Sequence, residues 1–91
     1  MSVPSRVVID ELRELIVAAA PDPAQAAPVR TCGADEPLDG IIPFSSVIVL
    51  GTVIAVEDHY GITVRRPDLA RVLEGGVTLS RLATMVDELR R

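Results

Sequence analysis

The sequence predicts an all-α fold: four helices forming a small bundle, with a long loop between the first and second and a short third helix. Three observations lead there. Apolar residues recur at three- and four-residue spacing near both ends of the chain. Prolines and glycines concentrate between residues 21 and 44, where no helical period survives. Hydrophobic residues make up 48% of the 91-residue chain, which places it among core-forming chains and not disordered ones.

The first helix is expected over about residues 5 to 20. Val8, Leu12, Leu15, Ile16 and Ala19 share one face, Asp10, Glu11, Arg13 and Glu14 occupy the others, Ser5 suits the N-cap and Pro21 the stop. Residues 21 to 44 read as a long loop, with a short turn at 24 to 27 and with Ile41 and Ile42 tucked into the core at its end. The second helix is expected over residues 46 to 60, with Ser45 and Ser46 as capping residues and Gly61 just past its end. Its β-branched run, Val47, Ile48, Val49, Val53, Ile54 and Val56, also reads as a buried strand. Helix is preferred because the run is long for a strand and Val49, Leu50, Val53, Val56 and Tyr60 form one stripe. Ile62 and Val64 lie in an extended link. A short third helix follows over residues 67 to 73, with Pro67 in its first turn, and Gly75-Gly76 ends it. Thr78 caps the last helix, residues 79 to 89, where Leu79, Leu82, Ala83, Val86 and Leu89 repeat at helical spacing.

A single domain of this length buries only about 60–65% of its unfolded surface, so its core must come from a few amphipathic elements. Phe44 and Tyr60 are the only aromatics, which leaves Leu, Val, Ile and Ala to do the packing. Thirteen acidic residues against nine basic ones give a net charge of −4, which argues against a nucleic-acid binder. All nine basic residues are arginines, read here as coding bias. Cys32 stands alone and calls for no oxidising compartment. The first four residues lack the pattern of a signal peptide, and the apolar stretch 47 to 56 is too short to span a bilayer. The expected location is the cytoplasm and the expected state a monomer.

The segment Phe44-Ser45-Ser46-Val47-Ile48-Val49-Leu50-Gly51 and the ending Glu57-Asp58-His59-Tyr60-Gly61-Ile62 carry a resemblance. With the order long helix, long loop, helix, short helix, helix, the chain resembles the acyl and peptidyl carrier proteins. That family carries Asp-Ser-Leu at the start of its second helix and, some fourteen residues on, an aromatic followed by Gly-Ile. Counting back from Tyr60 places the family's attachment serine on Ser46. The resemblance covers about residues 7 to 89, including Gly76-Val77-Thr78-Leu79 before the last helix. Ser45 stands where the family has Asp, and Val47 where it has Leu. Ile48, Gly51 and Ile54 stand where acidic or polar docking residues are usual, and Asp58 keeps the charge.

The resemblance implies a 4′-phosphopantetheine arm, donated by coenzyme A and attached to Ser46 by a phosphopantetheinyl transferase. Acyl-loading and acyl-processing enzymes of a fatty-acid, polyketide or related pathway would then dock through Val47, Ile48, Gly51, Ile54 and Asp58. Ser45 is the alternative attachment point if the helix starts one residue earlier. Read alone, Ser46 is a helix cap, and Ile48 and Ile54 are as readily core as docking surface. The remaining polar residues have plainer readings. His59 has no triad or metal-ligand company and faces solvent; Cys32 is an incidental thiol; Asp35, Glu36, Asp39, Arg65 and Arg66 are solvated. No base and no Gly-x-Ser-x-Gly elbow accompany Ser46, which argues against a serine hydrolase. An unmodified carrier-like interaction module is the competing reading.

Overall fold

The structure is a computed structural model that describes residues 6–42, 46–74 and 76–90, and only the backbone of residue 46. The expected N-cap Ser5, the loop end at residues 43–45, and Gly75 lie outside the described residues. Every regular element is helical, and no strand occurs among the described residues. The chain runs α1 (Arg6–Ala19), α2 (Pro23–Ala26), 3-10 turns at Ala27–Arg30 and Leu38–Gly40, α3 (Ser46–Tyr60), α4 (Arg66–Leu73) and α5 (Leu79–Leu89). The strand alternative for residues 47 to 56 is therefore not adopted.

α1 is the hub, packing against α3, α5 and the loop, while α4 leans on α5. Its buried stripe, Val8, Leu12 and Ile16, follows the predicted face, and Leu15 packs at the margin of the core. Leu12, Ile16, Leu38, Leu79, Val29, Val56 and Val86 are fully enclosed, so the core is aliphatic. The caps are chemically explicit. Thr78 Oγ1 accepts the Arg81 N–H at 3.1 Å at the start of α5. At the end of α3, Gly61 takes φ +65° and the Ile62 N–H reaches the Glu57 carbonyl at 3.2 Å, a left-handed termination that glycine adopts without strain.

Two expectations need correction. Residues 21 to 44 are more ordered than a wandering loop. Asp22 caps α2 by accepting from the Ala24 N–H at 3.1 Å, and Ala26, Val29, Cys32 and Leu38 all enter the core. Arg13 of α1 holds the segment down, donating to the carbonyls of Val29 at 2.8 Å and Cys32 at 2.6 Å, and Arg30 grips Glu14 through paired contacts of 3.0 Å. Backbone bonds from Leu38 to Val77 and from Ser80 to Ala34 fasten it to the start of α5. Its prolines set turns here instead of preventing them.

The second correction concerns the face α3 buries. Ile48, Thr52 and Val56 point inward, one turn apart, while Leu50 is 58% exposed. α3 is apolar on nearly every side, so its own pattern carries no phase. Its packing partner decides: an added Cβ at Gly51 would lie 3.2 Å from Ala19 Cβ and 3.3 Å from the Ala19 carbonyl oxygen. The missing side chain lets α3 lie close against α1, and that contact rotates the 48–52–56 row into the core.

Candidate functional site

The candidate site is the amino-terminal end of α3. Its backbone begins at Ser46, and its first turn carries no acidic side chain. The Ser46 side chain and all of Ser45 lie outside the described residues. Beside this start, Val47 is 60% exposed and Ile54, two turns on, is 65% exposed, with Asp58 exposed beyond them.

Ile48 does not join them. At 5% exposure it belongs to the core between α1 and α3, which corrects its expected role in docking. Gly51 is likewise taken up by the contact with Ala19 and is only half-exposed. Leu50 is the surface residue that sequence reasoning missed, having been assigned to the buried stripe. Val47, Leu50 and Ile54 thus share one outer face at spacings of three and four. Only the register set by Gly51 against α1 reveals this face.

At the opposite end of α3, Glu11 of α1 accepts from Tyr60 Oη at 3.0 Å and contacts His59 Nε2 at 3.3 Å, and the Arg90 guanidinium sits 5.4 Å from the Tyr60 ring centre. Hydrogen bonds from His59 first and Tyr60 second hold the Glu11 carboxyl below its ordinary value. Burial, then the bond to Glu11, raises the Tyr60 phenol well above its ordinary value. This cluster fastens α3 to α1 and gives His59, which is exposed to solvent as expected, a partner in Glu11.

Between α3, α4 and α5, Thr52 and the apolar side chains of Val49, Val53, Leu69, Val72, Leu73, Val77 and Leu82 line a crevice of about 10 Å³. That is marginal even for one water molecule, so a chain entering here must part the helices. A wider cleft of about 500 Å³ separates α4 from α5, floored by Val72 and Met85 and edged by Asp68, Arg71 and Arg81. Those edge groups already have partners. Arg71 pairs with Asp68 at 2.7 Å, and Arg81 donates to the carbonyls of Arg71, Glu74 and Gly76. Asp35, Glu36 and Asp39 are exposed, and Glu36 accepts the Gly33 N–H at 2.7 Å. Among the described residues no group of three His, Cys, Asp or Glu side chains could hold a metal ion, and no helix is long and apolar enough to cross a membrane. Compared with family models, curated proteins and solved structures, the chain matches none.

Proposed function

We propose that the chain is a carrier protein that receives a 4′-phosphopantetheine arm on Ser46 and holds acyl groups on it as thioesters for separate enzymes. One observation carries the reading: Ser46 is the first residue of a central helix whose last residue, fourteen positions on, is Tyr60, followed at once by Gly61. The helix order and the short α4 between α3 and α5 support it as well.

The surroundings suit the group. A phosphodiester at this point lies at the positive end of the helix dipole. The first turn offers no carboxylate to repel it. When bound, the arm supplies a thiol at its far end; the protein supplies a fixed attachment point and a surface for enzymes to find. In this reading the neutral stretch 47–56, together with Asp58, replaces the acidic docking face of related carriers.

The test is modification followed by mass. Incubation with coenzyme A and a broad-specificity phosphopantetheinyl transferase adds one arm to the intact protein. Ser46→Ala abolishes the gain and Ser45→Ala retains it. No gain under conditions that modify a control carrier would overturn the proposal. A second reading, an unmodified interaction module, is favoured by the exposed apolar face at Val47, Leu50 and Ile54. It requires Ser46→Ala to leave the protein fully active in its host.

A further inference from the structure

We infer that Thr52 fits the crevice between α3, α4 and α5 to an acyl chain that keeps an oxygen, as a ketone or a hydroxyl, along its length. The inference rests on the carrier reading and names the class of cargo that an arm on Ser46 would present. Thr52 is 2% exposed, it lines the crevice, and its hydroxyl has no hydrogen-bond partner among the described residues. A mid-helix threonine ordinarily bonds its own preceding turn, and a buried hydroxyl without a partner is costly. Water does not fill the role. A crevice of about 10 Å³ is marginal for one molecule, and the other side chains lining it are all aliphatic. A water there would meet one polar side chain where it needs at least two polar partners. Valine has nearly the same shape and carries no such cost, so the hydroxyl is the feature that calls for a ligand.

α4 is the wall that yields. Val72 is its one buried residue, Leu73 is 44% exposed, and the helix rests on α5. Moving α4 outward by the width of a methylene chain therefore uncovers little of the core. The space so opened is flanked by Val49, Thr52 and Val53 of α3 and by Leu82 of α5. An all-methylene chain there leaves the Thr52 hydroxyl unpaired. A chain oxygen at the matching depth pairs with it: Oγ1 donates to a ketone oxygen, or accepts from a chain hydroxyl. Two polar groups that would each be penalised alone in an apolar crevice then satisfy one another.

The test compares cargoes on the full chain. A phosphopantetheinyl transferase loads Ser46 with arms bearing an octanoyl chain or its 3-oxo, 5-oxo or 7-oxo counterpart, and intact mass establishes loading. Insertion is read from the backbone amide shifts of Val53, Val72 and Leu82, and from the Tm gained over the unacylated arm. One oxo position is expected to depend on Thr52. There, Thr52→Val lowers insertion relative to octanoyl about 10-fold, which removes roughly 5–10 °C from the Tm difference between the two cargoes. Thr52→Ser, which keeps the hydroxyl, retains the preference, and octanoyl itself inserts into Thr52→Val at least as well as into the parent. Far-UV circular dichroism confirms that both variants are folded. Loading without a shift at the three amides would overturn the inference and leave the carrier reading standing. Insertion with the same cargo preference in Thr52→Val as in the parent would do the same. No mass gain overturns the carrier reading, and the cargo inference falls with it.

Discussion

Thr52 is buried at 2% exposure, and its hydroxyl is a buried side-chain oxygen without a hydrogen-bond partner among the described residues. A threonine in mid-helix usually has its own preceding turn or water to bond to, and an unpaired buried hydroxyl costs about 1–3 kcal/mol. Thr52→Val keeps the branched shape and removes the polar atom. Urea unfolding is expected to show the variant as stable as the parent or up to ~1 kcal/mol more so; a loss above that would mean the hydroxyl has a partner. Gly51, one position earlier, carries the opposite expectation. A valine there drives its methyls into Ala19 of α1, whose carbonyl oxygen is backbone and cannot rotate away. Gly51→Val is expected to cost about 2–3 kcal/mol by the same measurement, the range for overpacking a close contact. Neither role was legible in the sequence. Thr52 and Gly51 break an apolar run in ways that look alike until the neighbouring helix is in place.

Among the elements, α3 and α5 were legible down to their end residues, because caps and terminating glycines mark them: Thr78 before α5 and Gly61 after α3. The rotation of α3 was not, since a helix apolar all round gives no preferred face. The order of residues 21 to 42 was hidden for a different reason. Its principal fastener, Arg13, lies 16 and 19 positions from the carbonyls it holds, a pairing no local pattern announces. Arg13→Met keeps the aliphatic stem and withdraws both bonds. The variant is expected to lose about 2 kcal/mol and to speed labelling of the buried Cys32 thiol by a disulfide reagent under native conditions. An unchanged labelling rate would show that the segment holds without this pin. The clamp between α1 and α3 has a pH signature. Glu11 is held below its ordinary value when folded, so its contribution is present at neutral pH and fades as pH falls through the lowered value. Glu11→Gln is expected to be less stable than the parent at pH 7, with the difference shrinking toward pH 3. Parallel stability–pH curves for the two proteins would exclude the clamp.

At the scale of the whole molecule, stability rests on α1, which meets α3, α5 and the loop, while α4 is a lighter attachment to α5. A chain of this size has a net stability of roughly 5–14 kcal/mol, and among the described residues no aromatic ring is fully buried in its core to concentrate burial in one place. Leu12 is fully buried, at 0% exposure, near the middle of α1, the helix that meets the most other elements. Truncating it leaves a cavity in the centre of the core, so Leu12→Ala is expected to cost about 3–4 kcal/mol. For a domain this small, each kcal/mol lowers Tm by roughly 4–8 °C, so the variant should melt about 12–30 °C below the parent. If α1 is the hub, the loss is shared. Tyr60 fluorescence, which reports the junction of α1 and α3, and far-UV circular dichroism, which reports all helices, should fall together in one transition. Leu73→Ala, on exposed α4, should shift the same transition by under ~1 kcal/mol. Two separated transitions in Leu12→Ala would mean that α4 and α5 keep a core of their own, and that α1 is one helix among equals.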